Sequence, residues 1–204
     1  MFDVTKAGYV DALVVPNLLC ASYLIKKTTN HTPIMRIVNN DEYVFSNERK
    51  KISRYLHEIG FVKLASTHRL FRIEDFSKEP EHRLIPDYCT TFYFEGFPMN
   101  DNYELSAQEI EEQKFEIARR ISEKSHVIFN DHLKQHFVYD EYFGSVNIFA
   151  RFAAKLCHNS SYHGHSFSYM TIQTNVAKNM AYIAVSDCGV GFLESLRKKQ
   201  KTVS

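Results

Sequence analysis

The chain has 204 residues, enough for one large domain or two small ones, and its 44% hydrophobic content suffices for a core. A formal net charge of +1 carries no nucleic-acid signature, and the longest apolar run, residues 12–25, is broken by Pro16, Asn17 and Ser22, too early for a membrane span. No basic stretch with a small-residue cleavage site opens the chain, and Cys20, Cys89, Cys157 and Cys188 have no paired spacing, so an unsecreted cytoplasmic protein with reduced thiols is expected.

Taken in order, residues 9–65 read as a small α/β unit. Tyr9–Val15 is a strand candidate, and Pro16 suits the first turn of a helix that buries Leu19, Leu24 and Ile25. Ile34–Val38 is a second strand, closed by the turn residues Asn39, Asn40 and Asp41. Ser46 suits the N-cap of a helix carrying Ile52, Tyr55, Leu56 and Ile59, and Gly60 is its stop. With Pro16 opening the first helix and Tyr55–Phe61 ending the second, this stretch resembles the STAS-like module found ahead of ATP-binding domains in bacterial proteins. That resemblance implies partner binding, not catalysis.

Arg69–Ile73 and Thr90–Phe94 read as strands separated by the polar Ser77–Arg83, and Pro98–Asn102 marks a boundary. The expected organisation is a module over 1–75, a connecting segment over 76–104 and a second domain over 105–204. Ser106 and Glu109 form a capping box for a helix with Ile110, Phe115, Ile117, Ala118 and Ile121. Its role is open between connector, part of the second domain and dimer contact.

The most informative stretch runs from 149 to 191. A helix over 145–162 carries an apolar stripe of Phe149, Phe152, Ala153 and Leu156. Lys155, Asn159 and His163 are spaced by four and share a face bordering that stripe, which predicts Asn159 beside the core. Strands over 168–176 and 181–187 follow, with Asp187 on the parity of Ile183 and Val185, hence on the strand's β-branched face. Asp187-Cys-Gly189-Val-Gly191 closes the pattern. His158, His163, His165, Cys157 and Cys188 are weighed as a zinc set and read as ordinary polar side chains, for want of converging spacing. His57-Glu58, a dipeptide that suits a phosphoacceptor, reads as a helix end beside Gly60.

An Asn-bearing helix followed by a strand ending Asp-x-Gly-x-Gly resembles the Bergerat, or GHKL, nucleotide-binding domain of histidine kinases, gyrase-type ATPases and heat-shock chaperones. The resemblance covers residues 142–204 and implies ATP and Mg²⁺ as cofactors. It implies that Asn159 holds the Mg²⁺ and that Asp187 accepts a hydrogen bond from the adenine amino group. Gly189 and Gly191 would let the backbone pass the base, Lys155 could lie against a phosphate, and His163 is counted with them among the nucleotide-binding residues.

Two departures qualify this. Lys155 stands where the family carries its catalytic Glu, and a protonated amine cannot take up a proton as a general base. No glycine follows Gly191, so the second glycine-rich turn that holds the phosphates is expected to be missing, in a fragment or a reduced version of the domain. The fold expected is therefore α/β: a STAS-like module, then part of a Bergerat-type sandwich with helices over a mixed sheet. The function expected is a bacterial regulatory protein acting through a protein partner or homodimer, with weak or lost adenine-nucleotide binding. A working ATPase or kinase completed by a further segment, and an interaction module without ligand, are the alternatives. Whether it is an enzyme stays open.

Overall fold

The computed structural model describes residues 1–4, 7, 10–37, 47–74, 89–96, 106–134, 143–163, 166–175, 178 and 180–189. They form a mixed α/β fold with two three-stranded sheets. The first sheet is parallel, in the order β1 (Phe2–Asp3), β2 (Ile34–Arg36), β3 (Arg72–Glu74). Helix α1 (Val15–Thr29) links β1 to β2, while α2 (Asn47–Glu58) and α3 (Phe61–Thr67) link β2 to β3. Parallel strands need such crossovers.

Local chemistry explains where these elements start and stop. The strand expected over 9–15 is instead, over its described part, a turn: the Asp11 carboxylate accepts the Leu13 N–H at 2.9 Å and opens a 3₁₀ turn, Ala12–Val14. That turn runs into α1 with Pro16 in the first turn, where a missing N–H leaves nothing unpaired. Leu19 is buried as expected but Leu24 is exposed, because it falls outside the arc of Val15, Leu19, Cys20 and Ser22. On α2, Ile52 and Leu56 are buried, followed by Ile59, and Gly60 ends the helix in the left-handed conformation. Gly60 then starts α3, a helix the sequence pattern did not show. Arg69 is also left-handed and closes α3 by its N–H bond to Ser66 O, so β3 begins three residues later than expected.

The second sheet is antiparallel throughout its described strands, where a mixed sheet was expected. Its order is β4 (Cys89–Phe94), β5 (Ser168–Asn175), β6 (Met180–Asp187). Thr91 opposes Thr171, Met170 opposes Val185, and Ser168 opposes Asp187. Opposed residues share a face, so the sheet has two distinct sides. One side carries Phe92, Phe94, Met170, Ile172, Ile183 and Val185, packed with Ile121, Ala150, Ala153 and Cys157 of α4 (Ala107–Lys134) and α5 (Phe143–His163). The other carries Cys89, Tyr93 and Tyr169, packed with Leu19 and Cys20 of α1 and with Phe61 of α3. β5 is thus covered on both faces and paired on both edges, and most of its residues are buried.

Two consequences follow for the expected organisation. β4, assigned by the sequence to a connecting segment, is a strand of this sheet. The core under α1 contains residues from both sides of the boundary expected near 98, Leu19 and Phe61 with Tyr169 and Cys188 among them. The boundary residues themselves lie outside the described ones, as does Ser46. The capping box on α4 is formed: Glu109 accepts the Ser106 N–H at 2.8 Å, and the Glu109 N–H reaches the Ser106 hydroxyl at 3.3 Å. Of the apolar residues this helix carries, Ile121 is buried and Phe115 is 73% exposed.

Candidate functional site

Strand parity places Asp187 before any contact is considered. Ile183 and Val185 pack toward α5, and Asp187 continues their side, opposite Ser168, whose hydroxyl lies against the Cys157 thiol of α5. The expectation for this carboxylate's side of the sheet is met. Its use is local: Oδ1 accepts the Gly189 N–H at 2.9 Å, closing an Asx-type turn, and the side chain is exposed. Cys188 turns to the opposite face, with its Sγ 3.8 Å from the Cys20 carbonyl of α1 and its N–H on Phe167 O at 3.3 Å. Hydrogen bonding to the Cys20 thiol and burial push the Cys188 pKa upward. The turn 187–189 is therefore held by its own Asp187–Gly189 bond and, on the α1 face, by Cys188. Gly191 lies outside the described residues.

The other half of the expected site is placed elsewhere. Helix α5 buries Ala150, Ala153, Cys157, Ser160 and Ser161, and Ser161 Oγ donates to Glu95 O at 2.9 Å. Asn159 is two residues beyond Cys157, about 200° around the helix at roughly 100° per residue. It is exposed, as are Ile148, Phe152 and Lys155, which recur with it at spacings of four, three and four. The expectation of Asn159 beside the core is thus corrected. The physical reason is size: small residues let α5 approach the sheet closely, and the larger Phe152 is left 60% exposed. The structure brings Asp187 and Gly189 together but turns Lys155 and Asn159 onto the exposed face of α5, so among the described residues Asn159 and Asp187 are not brought into one site. His163 is the last residue of α5, and its side chain lies outside the described part.

Of the zinc set weighed from the sequence, the two cysteines do not converge, and His165, like the side chain of His163, lies outside the described residues. Cys157 belongs to the core under α5 and Cys188 to the core under α1, on opposite faces of the sheet. Among the described residues, no three of His, Cys, Asp and Glu are grouped to hold a metal. His57 sits in the last turn of α2 and is half-buried. All four thiols are buried, and burial pushes Cys89 and Cys157 up to about 12.

Sequence reasoning missed an aromatic cluster where α1, α3 and the sheet meet. The ring centroids of Tyr23 and Phe167 are 4.6 Å apart, those of His68 and Tyr93 4.3 Å, and those of Tyr93 and Tyr169 5.6 Å. Tyr169 is fully buried, its hydroxyl has no partner among the described residues, and desolvation raises its pKa. Desolvation likewise lowers the pKa of His68. Tyr93 of β4 opposes Tyr169 of β5, and Phe167, just before β5, has the parity of Tyr169, a signal that could have found them. No helix among the described residues is long and apolar enough to cross a membrane. No protein-family model, curated protein or solved structure matches the chain.

Proposed function

We propose that this chain is a cytoplasmic regulatory protein of bacterial type that acts by binding a protein partner, with nucleotide binding weak or lost. One observation carries the reading: Lys155 and Asn159 occupy the exposed face of α5, apart from the Asp187–Gly189 turn. In the Bergerat family that the sequence resembles, the Asn and the Asp serve one pocket. Here the adenine side has its acceptor, Asp187, and the phosphate side has no assembled counterpart among the described residues. The Gly189 N–H occupies Oδ1 of Asp187, which leaves Oδ2 as the acceptor for an adenine amino group. A charge-assisted hydrogen bond contributes about 1.5–3 kcal/mol, so losing several weakens binding by many powers of ten.

Calorimetry or ligand-observed NMR with adenosine, ADP, ATP and GTP tests this. Binding should be weak and similar for adenosine, ADP and ATP, weaker for GTP, and insensitive to Mg²⁺. Guanine presents a carbonyl where adenine presents its amino group, and two oxygens would face each other. Asp187→Ala should abolish the binding, and Asn159→Ala should leave it unchanged. Tight, Mg²⁺-dependent ATP binding that Asn159→Ala removes would overturn the reading.

A further inference from the structure

The two edges of the antiparallel sheet are treated differently. On β4, the Thr91 N–H donates to Ile59 O at 3.0 Å, and Tyr93 O accepts from the Lys124 amine at 2.5 Å. That edge is closed by the corner between α2 and α3 and by α4. On β6, the described residues supply a neighbour on one side alone, β5. β5 is largely buried, whereas residues 181–186 of β6 are all half-buried. β6 pairs with β5 without interruption over eight residues, and positions 180–186 hold no charge, proline or bulge. Such an edge is a template for a further strand, because its outward N–H and C=O groups have no ladder partner among the described residues.

We propose that this edge takes the β6 of a second copy of the chain, antiparallel across a two-fold axis, joining two three-stranded sheets into one of six. The strand is self-complementary in size. With Ile183 opposite its own copy, Ala181 faces Val185, Tyr182 faces Ala184 and Met180 faces Ser186, a smaller residue against a larger one each time. The axis stands perpendicular to the sheet, so residues opposed in this register share a face, and the sides covered by α1 and by α5 stay continuous across the joint. A net charge of +1 opposes the approach of two copies only weakly. A charged peptide would find no ionic counterpart along 180–186, which favours the identical strand. This deepens the partner-binding reading and rests on it for its biological purpose. Its test reads self-association alone, so a monomer would sink this surface while the nucleotide titrations judge the other reading separately.

The contact is small as interfaces go, so association should be micromolar or weaker. Sedimentation velocity over a concentration series should show a species of twice the chain mass. Hydrogen exchange on the unmodified protein should show alternate amides of 180–187 protected at high concentration and exposed on dilution, with those of β4 unchanged. Tyr182→Lys, which adds a charge on a half-buried edge residue, should weaken association tenfold or more. Far-UV circular dichroism reports whether that variant is folded, and the dilution exchange needs no variant. A chain that stays monomeric at the highest concentration, or a dimer whose β6 amides exchange alike at both concentrations, would overturn the proposal.

Discussion

Gly96 follows β4 where the chain passes residues 166 and 167, and a methyl group on its Cα would lie 2.0 Å from the Ser166 carbonyl carbon and 2.2 Å from the Phe167 nitrogen. Those neighbours are backbone, so no rotamer change relieves the clash. Gly96→Ala is expected to cost 3 kcal/mol or more, at about the upper end of overpacking substitutions, and a denaturant midpoint measures it. A loss below about 1 kcal/mol would mean that the two segments stand farther apart. The buried thiols make a second residue-scale prediction. Cys89 and Cys157, pushed up to about 12 by desolvation, bind their protons more tightly folded than unfolded. Their contribution to stability is complete below the unfolded pKa of about 9 and is lost as pH rises through about 12. Thermal midpoints should therefore fall from pH 9 upward, less steeply in Cys89→Ser/Cys157→Ser than in the parent. A thiol reagent at pH 8 should modify none of the four until the chain is unfolded, since all four side chains are buried out of its reach.

At the scale of elements, Gly60 makes one helix into two. Its φ of 82° is left-handed, while the space beside it is ordinary, the nearest atom to an added Cβ being Thr91 O at 3.6 Å. The penalty for a side chain is thus conformational: Gly60→Ala should cost about 1–2 kcal/mol and Gly60→Asn less, because Asn tolerates this region. Equal losses would point to crowding instead. Gly60 was legible from the sequence, as were the capping box of Ser106 and Glu109, the strands around β5 and β6, and the parity of Asp187. Each depends on neighbours within a few residues. The phase of α5 was not legible in the same way. Four apolar residues at helical spacing suggested a stripe through Phe152, but the sheet selected the flank of Ala153, Cys157 and Ser161, and with it turned Asn159 outward. Side-chain size measures hydrophobic gain, whereas close approach depends on smallness, and the partner surface decides between them. The turn of Asp11 and the left-handed Arg69 were missed for a related reason: β-rich residues beside them outweighed single capping groups in the pattern.

At the scale of the whole molecule, α1 is the part shared by the two sheets. It crosses from β1 to β2 and also covers one face of β5 and β6, through Asn17 hydrogen-bonded to Ser186, Cys20 against Cys188, and Tyr23 on Phe167. Leu19 lies at the centre of that core, fully buried with Met35 of β2 and Tyr169 of β5 in the same cluster. Two independent units joined by a tether would unfold separately, and damage to α1 would be felt by the first sheet alone. A common core makes the opposite demand. Leu19→Ala should cost about 2–5 kcal/mol, the usual range for a buried leucine. It should move two signals by the same amount: far-UV dichroism from the helices, and near-UV dichroism from the tyrosine cluster on the second sheet. Amides of β5 and β6 should lose protection together with those of β2, since all report the same cooperative opening. Two resolved transitions, with only the helical signal shifted, would instead show that α1 rests on the sheet without binding the halves together. In that case the turn at Asp187 would be held by its bond to Gly189 and not by the core under α1.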